Sequence, residues 1–206
     1  ADIDGDGDLD LVVGELDGTL NSFEATSVVA EPLYTEQTGT DNPFAGVAIG
    51  SFNSKPSLAD IDGDGDLDLV VGEQDGTLNY YKNTGSATAP AYTPQSGTDN
   101  PFTGFDVGSF STPSLADIDG DGDLDLLVGE RDGFLNYYKN TGTATAPAYT
   151  EQSGTDNPFD GFDVGIFSTP SLADIDGDGD LDLVVGESDG TLNYYKNTGT
   201  ATAPAY

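Results

Sequence analysis

Cysteine and histidine are absent from the 206 residues, and only five lysines and arginines stand against 38 aspartates and glutamates. Without cysteine there is no disulfide framework and no thiol clue to compartment. Without either residue, zinc and iron lose the ligands they prefer, and acid–base catalysis would fall to carboxylates, tyrosine or lysine. The formal charge of −33 excludes nucleic-acid phosphates and anionic membrane surfaces as natural partners. No apolar run approaches the ~18 residues of a membrane span, so membrane insertion is not expected, and no segment reads as a signal peptide. Helical periodicity is missing throughout, and so is any Asn-x-Ser/Thr glycosylation acceptor.

What the chain has in excess is aspartate, and the excess is organised. The stretch Asp60-Ile61-Asp62-Gly63-Asp64-Gly65-Asp66-Leu67-Asp68 packs five carboxylates into nine residues and recurs from Asp2, Asp117 and Asp174. Twenty of the 38 acids lie in these four loops. Carboxylates this close repel one another, and holding them at fixed distances is costly unless a cation sits among them. Side chains at the first, third, fifth and ninth positions, a backbone carbonyl at the seventh and a glycine at the sixth would wrap the chain around a hard ion with oxygen ligands, which is calcium chemistry. The candidate metal residues are Asp2, Asp4, Asp6, Asp8 and Asp10; Asp60, Asp62, Asp64, Asp66 and Asp68; Asp117, Asp119, Asp121, Asp123 and Asp125; and Asp174, Asp176, Asp178, Asp180 and Asp182. One Ca2+ per loop, four in total, would bring the charge to about −25. An EF-hand is excluded: its twelfth position needs glutamate and here holds Val13, Val71, Val128 or Val185.

Counted from loop to loop, the chain divides into residues 1–59, atypical and beginning at its loop, then 60–116, 117–173 and an incomplete 174–206. Residues 113–149 and 170–206 differ at three of 37 positions. The first unit departs from this regularity: Ser22-Phe23-Glu24 stands where the second has Tyr80-Tyr81-Lys82. Each regular unit predicts one strand into the loop at 56–59, one out of it at 67–72, a third at 77–82 and a weaker fourth at 91–93, with the Asp-Gly of 75–76 turning the second into the third. Leu67, Leu69 and Val71 point to one face and Val70 to the other, and Tyr80 and Tyr81 likewise divide. A sheet apolar on both faces has to be stacked between neighbours, as in a propeller or a linear β-array. The fold class expected is therefore all-β: tandem four-stranded antiparallel blades with a calcium loop in each.

With these motifs in hand, the units resemble the calcium-loop blades of the FG-GAP and VCBS type, known from integrin α-subunit propellers and many secreted bacterial proteins. The resemblance rests on Asp-x-Asp-x-Asp-Gly-x-x-Asp, the Leu-Val-Val-Gly that follows and the Asp-Gly hairpin, and it covers all four units. It implies a four-stranded blade with the metal between its first two strands. The family's Phe-Gly pair is replaced by Phe105-Asp106-Val107-Gly108 and Phe162-Asp163-Val164-Gly165, and its Gly-Ala-Pro turn by Gly72-Glu73-Gln74-Asp75-Gly76, which favours the VCBS-like branch. Three assemblies stay open: part of a longer array, half of a propeller completed by another copy, or a four-bladed ring with one blade incomplete.

The function expected is a calcium-stabilised structural or adhesive module, polymerising through its repeated interface, in a secreted or cell-surface protein where calcium is millimolar. Its partners would be other copies of itself or further repeats. The alternative is a carbohydrate-binding propeller that uses Tyr80, Tyr81, Tyr137, Tyr138, Tyr194 and Tyr195 as stacking platforms, against which stands their use as packing between blades. An enzyme is not expected, because an active site needs one unsymmetrical constellation and three near-copies offer none. Lys82, Lys139 and Lys196 read as partners of nearby acids, and Glu73, Glu130 and Glu187 as residues within reach of a neighbouring unit's ion. The threonines of 141–147 suit either O-linked sugars or a plain polar loop.

Overall fold

The computed structural model describes residues 1–26, 33–47, 49–50, 52–105 and 107–206; Asp106, in one of the two departures from the Phe-Gly pair, lies outside them. Four antiparallel sheets follow one another along the chain. The first holds β1 (Leu11–Gly14), β2 (Leu20–Thr26) and β3 (Leu33–Gln37). The second runs β4 (Lys55–Ala59), β5 (Asp68–Gly72), β6 (Leu78–Asn83) and β7 (Tyr92–Pro94), in sequence order from one edge to the other. The third repeats it with β8 (Thr112–Ala116), β9 (Asp125–Gly129), β10 (Leu135–Asn140) and β11 (Tyr149–Glu151), and the fourth has β12 (Thr169–Ala173), β13 (Asp182–Gly186) and β14 (Leu192–Tyr195). Among the described residues two sheets thus have the four strands expected and the two end sheets have three. Only Ala1 precedes the first loop, and of the three residues equivalent to β7 the fourth unit holds Tyr206 alone. Among the described residues there is no α-helix, only three 3-10 turns such as Gly97–Asp99.

Alternation along the strands decides the stacking. Leu69, Val71 and Tyr81 join Ile3, Leu20 and Phe44 in a core between the first and second sheets, whereas Val70, Leu78 and Tyr80 face Leu126, Val128 and Tyr138 of the third. A third core joins Leu127 and Tyr137 to Leu183 and Val185. β5 and β9 are buried along their whole length, as strands covered on both faces must be. Aromatic rings from the connections seal each layer: Phe44 stacks on Tyr92 at 4.9 Å, Phe102 meets Tyr149 at 5.0 Å and Phe159 stacks on Tyr206 at 4.8 Å. Four of the six tyrosines weighed as sugar platforms, Tyr80, Tyr81, Tyr137 and Tyr138, are buried in these cores.

Backbone stitches fix neighbouring sheets at one edge. The buried Ser111 hydroxyl donates to the Thr77 carbonyl at 3.0 Å and accepts from the Glu73 amide at 2.9 Å, while the Ser111 amide donates to the Glu73 carbonyl at 3.1 Å. Ser168 repeats this against Glu130, and Ser54 against Glu15 and Thr19. Contact is close enough that a Cβ on Gly72 would lie 2.1 Å from the Ser111 carbonyl oxygen, so glycine is required at that crossing.

Candidate metal centres

Each acidic loop joins the first strand of its sheet to the second, except in the first unit, where it leads into β1. Its bend depends on the sixth-position glycine: Gly65 takes φ +93°, a region closed to most side chains, and Gly7, Gly122 and Gly179 do the same. The first aspartate then turns inward and ties the loop's own amides. Asp60 accepts from the Asp64 amide at 3.1 Å and the Gly65 amide at 3.0 Å; Asp117 and Asp174 hold their loops in the same way, and Asp2 accepts from the Gly5 and Gly7 amides. The aspartate at the fifth position accepts from the amide of the seventh, at 2.9 Å in the first loop and 3.1 Å in the others.

Carboxylate oxygens converge in all four loops. Asp2, Asp4 and Asp6; Asp60, Asp62 and Asp68; Asp117, Asp119 and Asp121; and Asp174, Asp176 and Asp178 each bring ligand atoms within 4.8 Å of one another. The seventh-position acids Asp8, Asp66, Asp123 and Asp180 are in none of these groups, and neither are Asp64 and the ninth-position Asp10, Asp125 and Asp182. Asp62 Oδ1 and Asp119 Oδ1 are buried without a hydrogen-bond partner. An orphaned carboxylate oxygen beside two further carboxylates is the arrangement a divalent, oxygen-preferring cation satisfies, and the residues present therefore fit such an ion.

The ninth position does more than its assignment as a ligand implied. Asp68 is fully buried; one oxygen accepts from the Asn83 amide at 2.7 Å, the other from the Ile61 amide at 3.2 Å and the Tyr80 hydroxyl at 2.8 Å. It therefore clamps the loop to β6. Asp125 and Asp182 make the same three contacts, with Tyr137 and Tyr194 as hydroxyl donors. Burial pushes the Asp68 and Asp125 carboxyls up to about 6, against the pull of these donors, so without a cation they are held charged at a cost. The tyrosine twelve residues beyond the ninth aspartate was the available signal for this clamp, and reading the tyrosines only as packing or platforms missed it. A second missed residue is Asn83, whose side-chain oxygen accepts from the Gly85 amide at 3.0 Å and the Ala91 amide at 2.9 Å to close the turn into β7.

Lysines pair with the loops as expected. Lys82 contacts Asp62 and lies 3.2 Å from Asp64; Lys139 and Lys196 repeat this on Asp119 and Asp121 and on Asp176 and Asp178. Hydrogen bonding to Asp62 raises the Lys82 ammonium above its ordinary range, so it stays charged. In the first unit Glu24 replaces this lysine, and burial, together with the charges of Asp6, Asp10 and Asp2, raises the Asp4 carboxyl although the Asp6 amide opposes it. Of the glutamates before the hairpins, Glu73 accepts from the Gly50 amide at 2.8 Å and the Asn79 side chain at 2.6 Å and so braces the second sheet against the end of the first unit.

Comparison with known proteins agrees with the repeat. The FG-GAP-like repeat model matches residues 60–128 and again 117–185. No curated protein matches the chain. Among solved structures, one described by its recognition of non-reducing terminal N-acetylglucosamine, an Agrocybe aegerita lectin, is 23% identical with a TM-score of 0.49. That alignment covers 98% of this chain and 49% of the other, so the present chain spans about half the length of that structure.

Proposed function

The chain belongs to the FG-GAP-like repeat family, and on that premise we propose that it is a calcium-stabilised structural or adhesive module of a secreted or cell-surface protein. The observation that carries this reading is the buried, partnerless oxygen of Asp62 and of Asp119, each beside two converging carboxylates. Asp60, Asp62, Asp64 and Asp68, with their counterparts in the other loops, would hold the ion, whose contribution is charge neutralisation that pins the loop to its sheet. Oxygen-only ligands, four carboxylates and a backbone carbonyl from one nine-residue loop, favour calcium over magnesium, which asks for a tighter octahedron. Modules of this kind bind at ~10⁻⁴ to 10⁻³ M, a range filled outside cells. We read the chain as a scaffold rather than a catalyst, because its regular units repeat one constellation. Titration calorimetry of metal-free protein is the test: calcium should bind at four sites with magnesium a weak competitor, and absence of calcium uptake ends the proposal.

The stacking supports a further contact at each end, with another copy of the chain or with further repeats of a longer one. Leu192, Ile175 and Tyr194 on the fourth sheet are 73%, 52% and 50% exposed, although their counterparts Leu78, Ile61 and Tyr80 are buried against the third sheet. At the other end Leu11 and Val13 are exposed where Leu69 and Val71 are buried. These are the two halves of the internal interface, so propeller-like stacking of one copy on the next repeats a contact the chain already makes three times. Sedimentation velocity should show concentration-dependent association that Leu192→Asp abolishes; a monomer at all concentrations refutes it.

A further inference from the structure

The atypical first unit opens a cavity of about 330 Å³ beside its acidic loop, against the 88–90 segment of the second sheet. The positions that line it recur in the later units with the same residues, except for the three on β2: Ser22, Phe23 and Glu24 replace Tyr80, Tyr81 and Lys82. The regular units therefore show what fills this space. There the Tyr80 ring lies edge-on to Phe102 at 6.2 Å with its hydroxyl on Asp68, and the Lys82 ammonium sits on Asp62 and Asp64. In the first unit the tyrosine ring is gone, and Ser22 turns its hydroxyl to Asn42 at 3.0 Å. Asp10 keeps its two amide donors, Ala25 at 2.9 Å and Ile3 at 2.8 Å, but has no phenol to supply the third. Asp4 has no lysine, and the lysine's position carries a further acid.

A cavity that has lost a hydroxylated ring and an ammonium, keeps the carboxylates those groups neutralised and gains another is shaped for a ligand carrying both. We propose that this cavity binds an organic ammonium ion bearing a hydroxylated ring, its ammonium between Asp4 and Glu24 and its hydroxyl on Asp10. Apolar contact comes from Phe23, Pro43 and Pro90. The size is within the range of small-molecule sites, and burial next to like charge makes a cation the favoured occupant. Neutral and anionic molecules of the same shape lack the group the acids require. Calcium at the loop would take Asp4 and Asp10 as ligands, so amine and ion compete for this cavity: tyramine should bind in chelator and be weakened by calcium, while the metal reading is tested apart by calcium uptake without tyramine.

Tyramine is the probe, with 2-(4-hydroxyphenyl)ethanol as its neutral counterpart, at 0.15 M salt, in calcium and again in chelator. Amide chemical-shift changes should concentrate on Ile3, Asp10, Ser22 and Glu24, and the neutral alcohol should bind at least about tenfold more weakly, as loss of a half-buried, charge-assisted hydrogen bond implies. Ser22→Tyr and Glu24→Lys give the first unit residues that the other units carry, so both should fold, with circular dichroism and melting as the check, and each should weaken tyramine at least about tenfold. Glu24→Gln, which leaves packing intact, should weaken it in the same direction. Equal affinity in Ser22→Tyr, equal binding of the neutral alcohol, shifts spread evenly over all four loops, or no tyramine binding would each overturn the proposal.

Discussion

Tyr80→Phe removes one oxygen and leaves the ring in place, which isolates the clamp on Asp68 from the packing around it. The deleted hydroxyl lies 2.8 Å from an oxygen of the fully buried Asp68 carboxylate, which accepts besides from the Ile61 amide, while the other oxygen accepts from the Asn83 amide. Hydrogen bonds to charged groups contribute roughly 1.5–3 kcal/mol, and a buried acceptor cannot turn to water for replacement, so a loss of about 2 kcal/mol is expected. For a chain of this size that corresponds to a fall in melting temperature of about 4–8 °C. The control is Tyr92→Phe, because the Tyr92 hydroxyl is buried with no hydrogen-bond partner and its removal should be neutral or slightly stabilising. Both variants are to be compared in excess calcium by urea unfolding followed by circular dichroism, with unchanged slope required before midpoints are read as stabilities. If the two variants unfold within about 0.5 kcal/mol of each other, the argument that Asp68 is clamped by Tyr80 fails.

Other expectations follow from the same structure. Chelation should lower stability by about 1.8 kcal/mol per site at ~2 mM calcium for a dissociation constant of ~10⁻⁴ M, so an unchanged melt removes the calcium argument. Asp62→Ala should reduce the calcium stoichiometry by one while the other three sites titrate as before. Gly72→Ala should cost more than about 3 kcal/mol, since its Cβ would lie 2.1 Å from a backbone oxygen of the next sheet, whereas Gly186→Ala meets nothing closer than Leu192 Cδ2 at 3.6 Å and should change stability by less than about 1 kcal/mol. Equal effects of the two would contradict the stacking of the second sheet on the third.

Periodicity and pattern made a good part of this molecule readable before any coordinates. The 57-residue interval, the Asp-Gly hairpin and the β-branched run after each loop located the strands to within one or two residues, and the alternation of Leu69, Val70 and Val71 placed their side chains on the two faces they occupy. These features are local, and φ preference with side-chain period is enough to set them. The converging acids were likewise legible, because they sit at fixed offsets along one short loop.

Contacts between distant residues were not. Nothing in the spacing says that the Ser111 hydroxyl ties two sheets together, that Glu73 braces the Gly50 amide or that Tyr80 reaches back twelve residues to Asp68. Nor could the replacement of Tyr80 and Lys82 by Ser22 and Glu24 be read as anything but irregularity until the sheets were stacked and the space it leaves was enclosed. The sequence alone determined the strands, the turns and the acidic loops, because each is governed by residues a few positions apart. Only the tertiary structure decided which carboxylates are buried and which neighbours neutralise them, because desolvation depends on what the next sheet brings against them.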